Sequence, residues 1–420
     1  MKNLANWLDY IQALHSKPIA MGLDRVSQVA KALQLQPKFP IITVAGTNGK
    51  GSTCAMLERI YVEAGYRVGC YTSPHLLRYN ERVRVGCIEA DDEALCVAFT
   101  AVEAARGDVA LTYFEIGTLA AMWHFMHCGL DVVILEVGLG GRLDAVNIFD
   151  PACAIVTSID LDHMDFLGDT KELIGFEKAG VYRKGLPAIC GDAYAPSSLL
   201  QYADEIDADL KLIGRNFSYT ETALGWDFQS SDEAVIHLSK PALIGDFQLS
   251  NAACVIQAVS CLQKALPISE AEMQLGLQKV SLNGRFQVVK RGKNENPSVI
   301  LDVAHNPQAA RALANNLHNT PCNGKTIAVF AMLADKDMHG VIDALIPEID
   351  VWYVANIDHV RGAKAQTLGA YIETQVKHPH VESFNSASDA YKQACIDRLE
   401  NDRIVVFGSF FTVADVMPTL

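Results

Sequence analysis

The chain has 420 residues, of which 50% are hydrophobic and 20% are charged. That length predicts two or three domains, and the apolar content excludes disordered, collagen-like and small disulfide-stapled proteins. With 49 acidic against 35 basic residues, the net charge is −14. Because proteins that bind nucleic acid usually carry a basic surface, we expect no nucleic-acid partner. A local basic pocket for a small anion is compatible with this charge.

The eleven cysteines contain no C-x-x-C pair, so the sequence lacks a zinc or redox signature and suits a reducing compartment. The first 17 residues include Asp9, Gln12 and His15, and they lack the apolar core of a signal peptide. No run of about 18 uncharged apolar residues is present, so no transmembrane helix is expected. We therefore expect a cytoplasmic protein with no membrane partner.

Continuous apolar runs rich in β-branched residues recur along the chain. They cover residues 39–45, 132–137, 152–159 and 186–190, and then 298–303, 326–330, 351–355 and 404–407. Such runs are typical of strands buried on both faces of a parallel sheet. Amphipathic helical patterns, such as residues 53–64 and 115–128, lie between them. This alternation predicts a doubly wound α/β fold.

Two segments depart from that alternation. Residues 214–246 contain short strand-like stretches in a polar setting, which we interpret as a small antiparallel insertion. Residues 290–297 are polar and rich in turn-forming residues, and they predict a domain boundary. The predicted domains are therefore residues 1–288, which include the insertion, and a smaller α/β domain of residues 297–420.

The strongest local motif is a glycine loop between a buried strand and a helix, with the sequence G-T-N-G-K-G-S-T at residues 46–53. Glycines let backbone amides approach phosphate oxygens, and the helix N-terminus favours negative charge. Lys50 supplies a positive charge for the β- and γ-phosphates, and a hydroxyl can reach Mg²⁺. The spacing differs from G-x-x-x-x-G-K-[ST], because Gly46 precedes Gly49 by only three residues and Gly51 follows Lys50. The alternative interpretation is a simple turn.

A single carboxylate, Glu136, closes the apolar strand at residues 132–136. Ligands of open α/β sheets bind at the carboxyl ends of strands, and a buried charge is costly unless it is paired or metal-bound. We therefore favour Glu136 as a Mg²⁺ ligand beside the glycine loop. The alternatives are capping of backbone amides or an ion pair with Arg142. The nearby G-L-G-G glycines do not continue as G-x-G-x-x-G, so a dinucleotide site is disfavoured.

Polar residues also follow two other strands. Directly after the strand at residues 154–159 come Asp160, Asp162 and His163. They could form a metal site or a proton-transfer site, or they could be surface residues without a function. Asp302 and His305 end a strand of the last third. Asp302 could receive an arginine or a ribose, or could be the N-cap of the helix that begins at Pro307.

The blocks taken together resemble the Mur ligase superfamily and, within it, the bifunctional dihydrofolate synthase/folylpolyglutamate synthase family. The matching blocks, which span nearly the whole chain in one order, are residues 14–26, 46–53, 72–76, 111–115, 135–147, 161–163, 177–180, 284–286, 302–307 and 406–410. The resemblance implies a P-loop Mur-ligase-type central domain with a mostly parallel sheet. It also implies a smaller, Rossmann-like C-terminal domain.

The resemblance implies that an ATP-dependent ligase adds L-glutamate to dihydropteroate and to tetrahydrofolate through an acyl phosphate, releasing ADP and phosphate. It implies two Mg²⁺ ions, one held by Ser73 and Glu136 and a second involving His163. Lys178 matches a lysine that the family carries as a carbamate. The family also suggests a monomer. The alternatives are a Mur-type ligase for another carboxylate, or an enzyme restricted to polyglutamylation.

Further contacts are implied residue by residue. The implied catalytic residues are Lys50, His163 and Lys178. The implied ATP contacts are Thr47, Asn48, Gly49, Lys50, Gly51, Ser52, Asn251, Arg285 and Asp302. The implied substrate contacts are Ile19, Ala20, Met21, Thr112, Tyr113, Phe114, Glu115, Arg142, Asp144, Asn147 and His305.

Overall fold

The computed structural model describes residues 2–15, 19–231, 234–289 and 299–420. It divides into two compact units, one formed by Met1–Ala242 with Leu249–Val280 and the other by Leu243–Gln248 with Ser281–Leu420. The predicted domain limits of 288 and 297 stay a prediction, because residues 290–298 lie outside the described part of the chain.

The first unit is built on an eight-stranded sheet with the order β4-β3-β2-β5-β1-β6-β7-β8. The strands are β1 (Ile41–Ala45), β2 (Val68–Tyr71), β3 (Val83–Val85), β4 (Ile88–Glu89), β5 (Val132–Glu136), β6 (Cys153–Val156), β7 (Pro187–Cys190) and β8 (Asp209–Leu212). Strands β2, β5, β1, β6, β7 and β8 run parallel, whereas β3 and β4 pair antiparallel at one edge. Every residue of β1, β5 and β6 is buried, as the continuous apolar runs predict, and every residue of β2 is buried as well.

Helices cover this sheet. They are α1 (Leu4–Ala13), α2 (Asp24–Ala32), α3 (Lys50–Glu63), α4 (Asp92–Arg106), α5 (Tyr113–Met126), α6 (Met164–Leu167), α7 (Lys171–Ala179), α8 (Ser197–Glu205), α9 (Asp246–Leu262) and α10 (Glu270–Lys279). Helix α3 is buried on most of its surface, including Ser52 and Thr53 in its first turn. Because α3 starts directly after β1, its N-terminus lies at the carboxyl edge of the sheet.

Within the segment 214–246 the chain forms a separate antiparallel sheet of β9 (Phe217–Glu221), β10 (Trp226–Ser230) and β11 (Ile236–Leu238). Trp226 and Phe228 of the middle strand are fully buried. Their alternation with Asp227 and Gln229 gives this sheet one apolar face, in contrast to the strands of the large sheet.

The second unit has a six-stranded sheet with the order β12-β13-β17-β14-β15-β16. The elements are β12 (Gln287–Val289), β13 (Val299–Leu301), β14 (Thr326–Phe330), β15 (Val351–Ala355), β16 (His380–Phe384) and β17 (Arg403–Phe407), with α11 (Pro307–His318), α12 (Met338–Leu345), α13 (Ala365–Gln375), α14 (Ala387–Asp397) and α15 (Phe410–Val416). Only β12 pairs antiparallel. The prediction of an α/β fold with a mostly parallel central sheet and a smaller α/β unit is confirmed.

The core of the second unit contains stacked aromatic rings. The Phe330 and Phe407 rings lie 4.8 Å apart, and Trp352 packs edge-on against Phe330 at 5.8 Å. Among the described residues, no helix is both long enough and apolar enough to cross a lipid bilayer.

Candidate functional site

The carboxyl ends of four neighbouring parallel strands meet at one edge of the first sheet. The glycine loop follows β1, Ser73 follows β2, Glu136 ends β5, and residues 157–163 follow β6. The register places Val44 of β1 opposite Glu136 of β5. In open α/β sheets this edge is where ligands bind, so the structure brings the predicted phosphate, metal and proton-transfer residues to one place.

The glycine loop is held by the chain that follows β6. The Thr47 amide donates to the Ser158 carbonyl at 2.7 Å, and the Thr47 hydroxyl accepts from the Asp160 amide at 3.0 Å. Gly46 has a φ of +144°, and a β-carbon there would overlap the Thr157 hydroxyl. The loop therefore needs glycine at position 46 for both its conformation and its close packing.

Helix α3 begins at this loop with Gly49 as its N-cap, at a φ of +88°. The Lys50 ammonium donates to the carbonyls of Gly46 at 3.0 Å and Thr47 at 3.2 Å, so it lies over the loop. A β-carbon at Gly49 would overlap the Asn251 side-chain amide, which places Asn251 of α9 beside the loop. A fixed loop, a lysine and a helix N-terminus together form an anion cradle.

Glu136 is buried, with 4% of its surface exposed. Its Oε2 accepts a hydrogen bond from the Ser73 amide at 3.0 Å. Arg142 instead pairs with Glu177 at 2.6 Å. Carboxylate and hydroxyl oxygens are the donors that Mg²⁺ prefers, so Glu136 and Ser73 fit such an ion.

The described residues contain no group of three or more His, Cys, Asp or Glu side chains arranged to hold a metal ion. Mg²⁺ is usually bound by one or two protein oxygens, and water and substrate phosphates complete its coordination. A metal ion at Glu136 and Ser73 would therefore depend on the nucleotide for part of its coordination.

His163 immediately precedes the short helix α6 and has a left-handed φ of +52°. Its amide donates to Asp162 Oδ1 at 2.8 Å, and its ring Nε2 lies 3.9 Å from Asp162 Oδ2. A positive φ at a non-glycine residue stores backbone strain, which is concentrated at functional sites. The imidazole is 38% exposed, so it is accessible to a ligand.

Lys178 of α7 is almost fully buried, at 3% exposed. Burial lowers the pKa of its ammonium to about 7; the charge of Lys50 lowers it further, and Asp162 and Asp144 oppose the shift. At neutral pH a large fraction of this side chain is thus the nucleophilic amine. In the sequence, a lysine beside Glu177 on a helix is typical of a solvated face, so only the family resemblance indicated a role for Lys178.

Glycines bring α7 close to the loop after β5. A β-carbon at Gly141 would lie 2.8 Å from the Glu177 carbonyl, and one at Gly180 would overlap Arg142. Asn147 also ties the two segments, because its amide donates to the carbonyls of Arg142 and Gly180 at 3.0 Å each. This long-range contact buries Lys178.

Two of the implied pterin-side residues cap helix α5 and anchor the chain before α2. Thr112 and Glu115 form a capping box at the start of α5, in which the Thr112 amide donates to Glu115 Oε2 at 2.7 Å. Glu115 Oε1 also pairs with Arg25 at 3.0 Å, and Arg25 donates to the Ala20 carbonyl at 2.8 Å. Glu115 therefore helps to hold the half-buried loop of Ile19 and Ala20.

Apolar side chains enclose the glycines after β5. A β-carbon at Gly138 would overlap the Phe114 ring, and the Met21 methyl would lie 3.7 Å from one at Gly140. Asp144 lies in the same loop and accepts from the amides of Leu139 at 2.8 Å and Val146 at 3.1 Å. Burial raises the pKa of the Asp144 carboxyl to about 7 despite these bonds.

A cluster beside Ser73 joins Tyr113, an implied substrate contact, to three residues that sequence reasoning missed, namely His75, Tyr79 and Arg82. His75 Nδ1 accepts from Arg82 Nε at 2.8 Å, and the Arg82 guanidinium lies 5.5 Å from the rings of both Tyr79 and Tyr113. Burial, followed by the charge of Arg82, lowers the pKa of His75 to about 4, so this imidazole is neutral at pH 7. Only the position of these residues after a strand end could have indicated a role.

The predicted residues of the second unit also gather within it. The Arg285 guanidinium lies 5.2 Å from the Phe410 ring, and the His305 ring lies 6.3 Å from that same ring. Asp302 accepts from the amides of Phe286 and Ala304 at 2.8 Å each, and burial raises its pKa.

One alternative for Asp302 is wrong. The N-cap of α11 is Asn306, whose side chain accepts from the Ala309 amide at 2.9 Å. Asp302 instead ties β13 to the Gly284–Phe286 turn through the Phe286 amide.

Comparison with protein families and known proteins agrees with this geometry. Residues 44–259 match the Mur ligase middle domain, and residues 284–410 match the Mur ligase glutamate ligase domain. The dihydrofolate synthase/folylpolyglutamate synthase of Escherichia coli K12 is 45% identical over 99% of this chain and 95% of its own length. The protein of the same name from Bacillus subtilis is 32% identical over 95% of both chains.

Solved structures give the same result. E. coli FolC in complex with DHPP and ADP superposes with a TM-score of 0.93, at 45% identity over 100% of this chain and 97% of that one. A bifunctional folylpolyglutamate synthase/dihydrofolate synthase with Mn, AMPPNP and L-glutamate bound has a TM-score of 0.91 at 44% identity, over 100% and 98%. The motifs, the fold and these matches place the chain in the dihydrofolate synthase/folylpolyglutamate synthase family of Mur ligases.

Proposed function

We propose that this protein uses ATP to join L-glutamate to dihydropteroate, giving dihydrofolate, and to tetrahydrofolate, giving polyglutamates. The observation that carries the proposal is the meeting of an anion cradle, the Ser73–Glu136 pair and buried Lys178 at one sheet edge. Relatives support the substrates, because one is described with DHPP and ADP and another with Mn, AMPPNP and L-glutamate.

The chemistry has two steps. An oxygen of the acceptor carboxylate attacks the γ-phosphorus, and the bond from that phosphorus to the bridging oxygen of the β-phosphate breaks. ADP is the leaving group, and the acceptor becomes an acyl phosphate. The amine of L-glutamate then attacks the acyl carbon, phosphate leaves with the electron pair of the C–O bond, and the nitrogen loses a proton. Phosphoryl transfer needs mainly positioning and charge neutralisation. Lys50 and the amides at the start of α3 supply both to the triphosphate.

Divalent metal ions fit this site and would be held by residues already in place. Ser73 and Glu136 would hold one Mg²⁺, and His163 would contribute to a second. When bound, these ions would neutralise the phosphate oxygens. The protein's own contribution is the hydrogen bond from the Ser73 amide, which fixes the orientation of Glu136 Oε2.

We also propose that Lys178 is carbamylated. Its uncharged amine would attack the carbon of carbon dioxide, one C=O π bond would open onto oxygen, and the nitrogen would lose a proton, which leaves an anionic carbamate. The burial of the side chain and its pKa of about 7 support this, because the reaction requires a neutral amine. The resulting carboxylate would supply oxygen donors for the second metal ion.

The remaining contacts follow the family assignment. We retain Asn251, Arg285 and Asp302 as nucleotide contacts and His305 as a substrate contact. We also retain residues 19–21 and 112–115, together with Arg142, Asp144 and Asn147, as contacts of the pterin-bearing substrate. A cytoplasmic location is supported by the eleven cysteines, which are all described and form no disulfide bond.

The test is release of phosphate from ATP by the purified protein with different acceptors. We expect release that requires L-glutamate together with either dihydropteroate or tetrahydrofolate. Release with tetrahydrofolate alone as acceptor would identify a polyglutamylation-only enzyme. Release only with unrelated carboxylates would identify another Mur-type ligase, and either result would overturn the proposal.

A further inference from the structure

Arg82 ends the short 3-10 turn Tyr79–Arg82 that enters β3. Its carbonyl accepts from the Thr72 amide at 2.9 Å, so its backbone lies beside the residue that precedes Ser73. Arg82 is therefore held at the carboxyl end of β2, next to the edge where the phosphate loop and Glu136 lie.

Within the described part of the chain, the Arg82 guanidinium contacts only neutral groups. These contacts are the Nε bond to His75 at 2.8 Å and the faces of the Tyr79 and Tyr113 rings. No carboxylate of the described residues forms an ion pair with it. Other nearby arginines differ, since Arg84 pairs with Glu58 at 2.7 Å and Arg78 with Asp92 at 3.3 Å.

The acidic residue next to Arg82 in sequence, Glu81, already accepts hydrogen bonds from backbone amides. Glu81 accepts from the amides of Leu76, Leu77 and Arg78 at 2.7 Å each, and it thereby fixes the turn that follows Ser73. With Nε used by His75, Arg82 keeps the N–H groups of Nη1 and Nη2. These two nitrogens form a planar fork that matches a carboxylate in a bidentate pair.

The neighbours of Arg82 indicate which carboxylate it takes. Tyr113 belongs to the block assigned to the pterin-bearing substrate, whereas Thr72 adjoins the metal side at Ser73. The fork thus lies beside the carboxylate end of the acceptor. A tight pair with the reacting carboxylate would withdraw the charge that must attack phosphorus, so a non-reacting carboxylate is the better fit.

We infer that Arg82 binds the non-reacting carboxylate of a glutamate-terminated acceptor, with His75 and the two tyrosine rings fixing its orientation. Dihydropteroate has a single carboxylate, which reacts, whereas tetrahydrofolate carries a second on its glutamate. Arg82 is therefore a specificity-determining residue for the second activity. This inference rests on the proposed function.

The test is to measure kcat/KM of Arg82→Gln with each acceptor under the same ATP and L-glutamate concentrations. We expect a loss of about 10- to 100-fold with tetrahydrofolate, appearing mainly in KM, against a loss of less than about threefold with dihydropteroate. Arg82→Lys keeps the charge without the fork and should recover part of the loss. Equilibrium binding of the two acceptors should show the same selectivity without turnover.

Arg78→Gln is the matched control, because Arg78 lies in the same turn but is 63% exposed and is paired with Asp92 and Glu89. It should leave the ratio of the two activities unchanged. If Arg82→Gln lowers kcat/KM equally with both acceptors, the inference is overturned, because this result indicates contact with ATP or with the reacting carboxylate. An unchanged kcat/KM with both acceptors would also overturn it. If the unaltered protein uses neither acceptor, the proposed function itself fails.

Discussion

The Ser73 amide donates to Glu136 Oε2 at 3.0 Å, and this bond joins the carboxyl ends of the adjacent parallel strands β2 and β5. The bond fixes the orientation of a buried carboxylate beside the phosphate loop. A cation at this position would therefore be held by a group whose orientation is already set, which lowers the entropy lost on binding.

Substitution Glu136→Gln tests this assignment. Glutamine keeps the size of the side chain and an oxygen that can accept from Ser73, but it loses the negative charge. We expect the Mg²⁺ concentration for half-maximal activity to rise by about tenfold or more. The measurement is a Mg²⁺ titration of phosphate release at saturating substrates. An unaltered Mg²⁺ dependence would instead support a purely capping role for Glu136.

Substitution Lys178→Ala removes the proposed carbamate. Turnover should fall by about 100-fold or more while ATP binding is largely retained, and added acetate or formate should restore part of the activity. Exposed Lys184→Ala is the control and should behave like the unaltered protein. In addition, ¹³C-labelled bicarbonate should give a carbamate signal by NMR that Lys178→Ala lacks. An unchanged kcat, or a labelled signal that persists, would refute the carbamate.

Alanine substitutions at two glycines with nearly the same φ distinguish the cost of backbone strain from the effect of steric overlap. Gly49 and Gly65 have φ values of +88° and +87°, but a β-carbon at Gly49 would overlap Asn251 whereas one at Gly65 meets nothing within 4 Å. Both alanine variants should lose about 1–2 kcal/mol of stability from the left-handed conformation. Only Gly49→Ala should weaken ATP binding as well, measured by calorimetry. Equal ATP affinities in the two variants would argue against the loop as the cradle.

Asp144 makes stability depend on pH. Burial raises its pKa from 3.8 to about 7 in the folded protein. Between these pKa values the folded state holds a proton that the unfolded state has lost. The contribution of Asp144 to stability is therefore present at low pH and declines as the pH rises towards 7. The decline is at most about 1.4 kcal/mol per pH unit. The free energy of unfolding of the unaltered protein should thus fall more steeply between pH 5 and 7 than that of Asp144→Asn. Parallel profiles would show that Asp144 is ionised throughout.

Lys178 does not obscure that measurement. As the free amine, Lys178 has a pKa lowered from 10.5 to about 7, so between these values it is neutral in the folded state and charged in the unfolded state. Its contribution to the slope of stability against pH therefore has the opposite sign, and this contribution occurs mainly above pH 7. The window from pH 5 to 7 reports mainly on the carboxyl.

Local patterns in the sequence predict much of the first sheet. The β1 strand, the 46–49 loop and the start of α3 are contiguous, and their apolar run, glycines and hydroxyl residues each favour the observed conformation. Glu136 was also identifiable, because a single charge that ends a buried strand needs a partner. These features depend on neighbours in the sequence and on the geometry common to parallel sheets.

Other features depend on contacts between distant segments. Lys178 is buried because Gly141 and Gly180 let α7 approach the loop after β5, and no periodicity in residues 171–179 indicates this. The N-cap of α11 is Asn306, whereas the sequence offered Asp302 as an alternative for that role. Both are good N-cap residues, and only the bond to the Ala309 amide distinguishes them. The pairing of Arg82 with His75 likewise needs the fold of the turn after Ser73.

The most direct test of the acyl-phosphate ligase is the fate of an acceptor oxygen. Dihydropteroate labelled with ¹⁸O in its carboxylate is turned over with ATP and L-glutamate, and the released phosphate is analysed by mass spectrometry. Because the acceptor oxygen attacks the γ-phosphorus and leaves with the phosphate, we predict one ¹⁸O atom in each phosphate and one retained in dihydrofolate. Phosphate without ¹⁸O from the acceptor would contradict the account, since ATP would then be hydrolysed by water without activating the carboxylate.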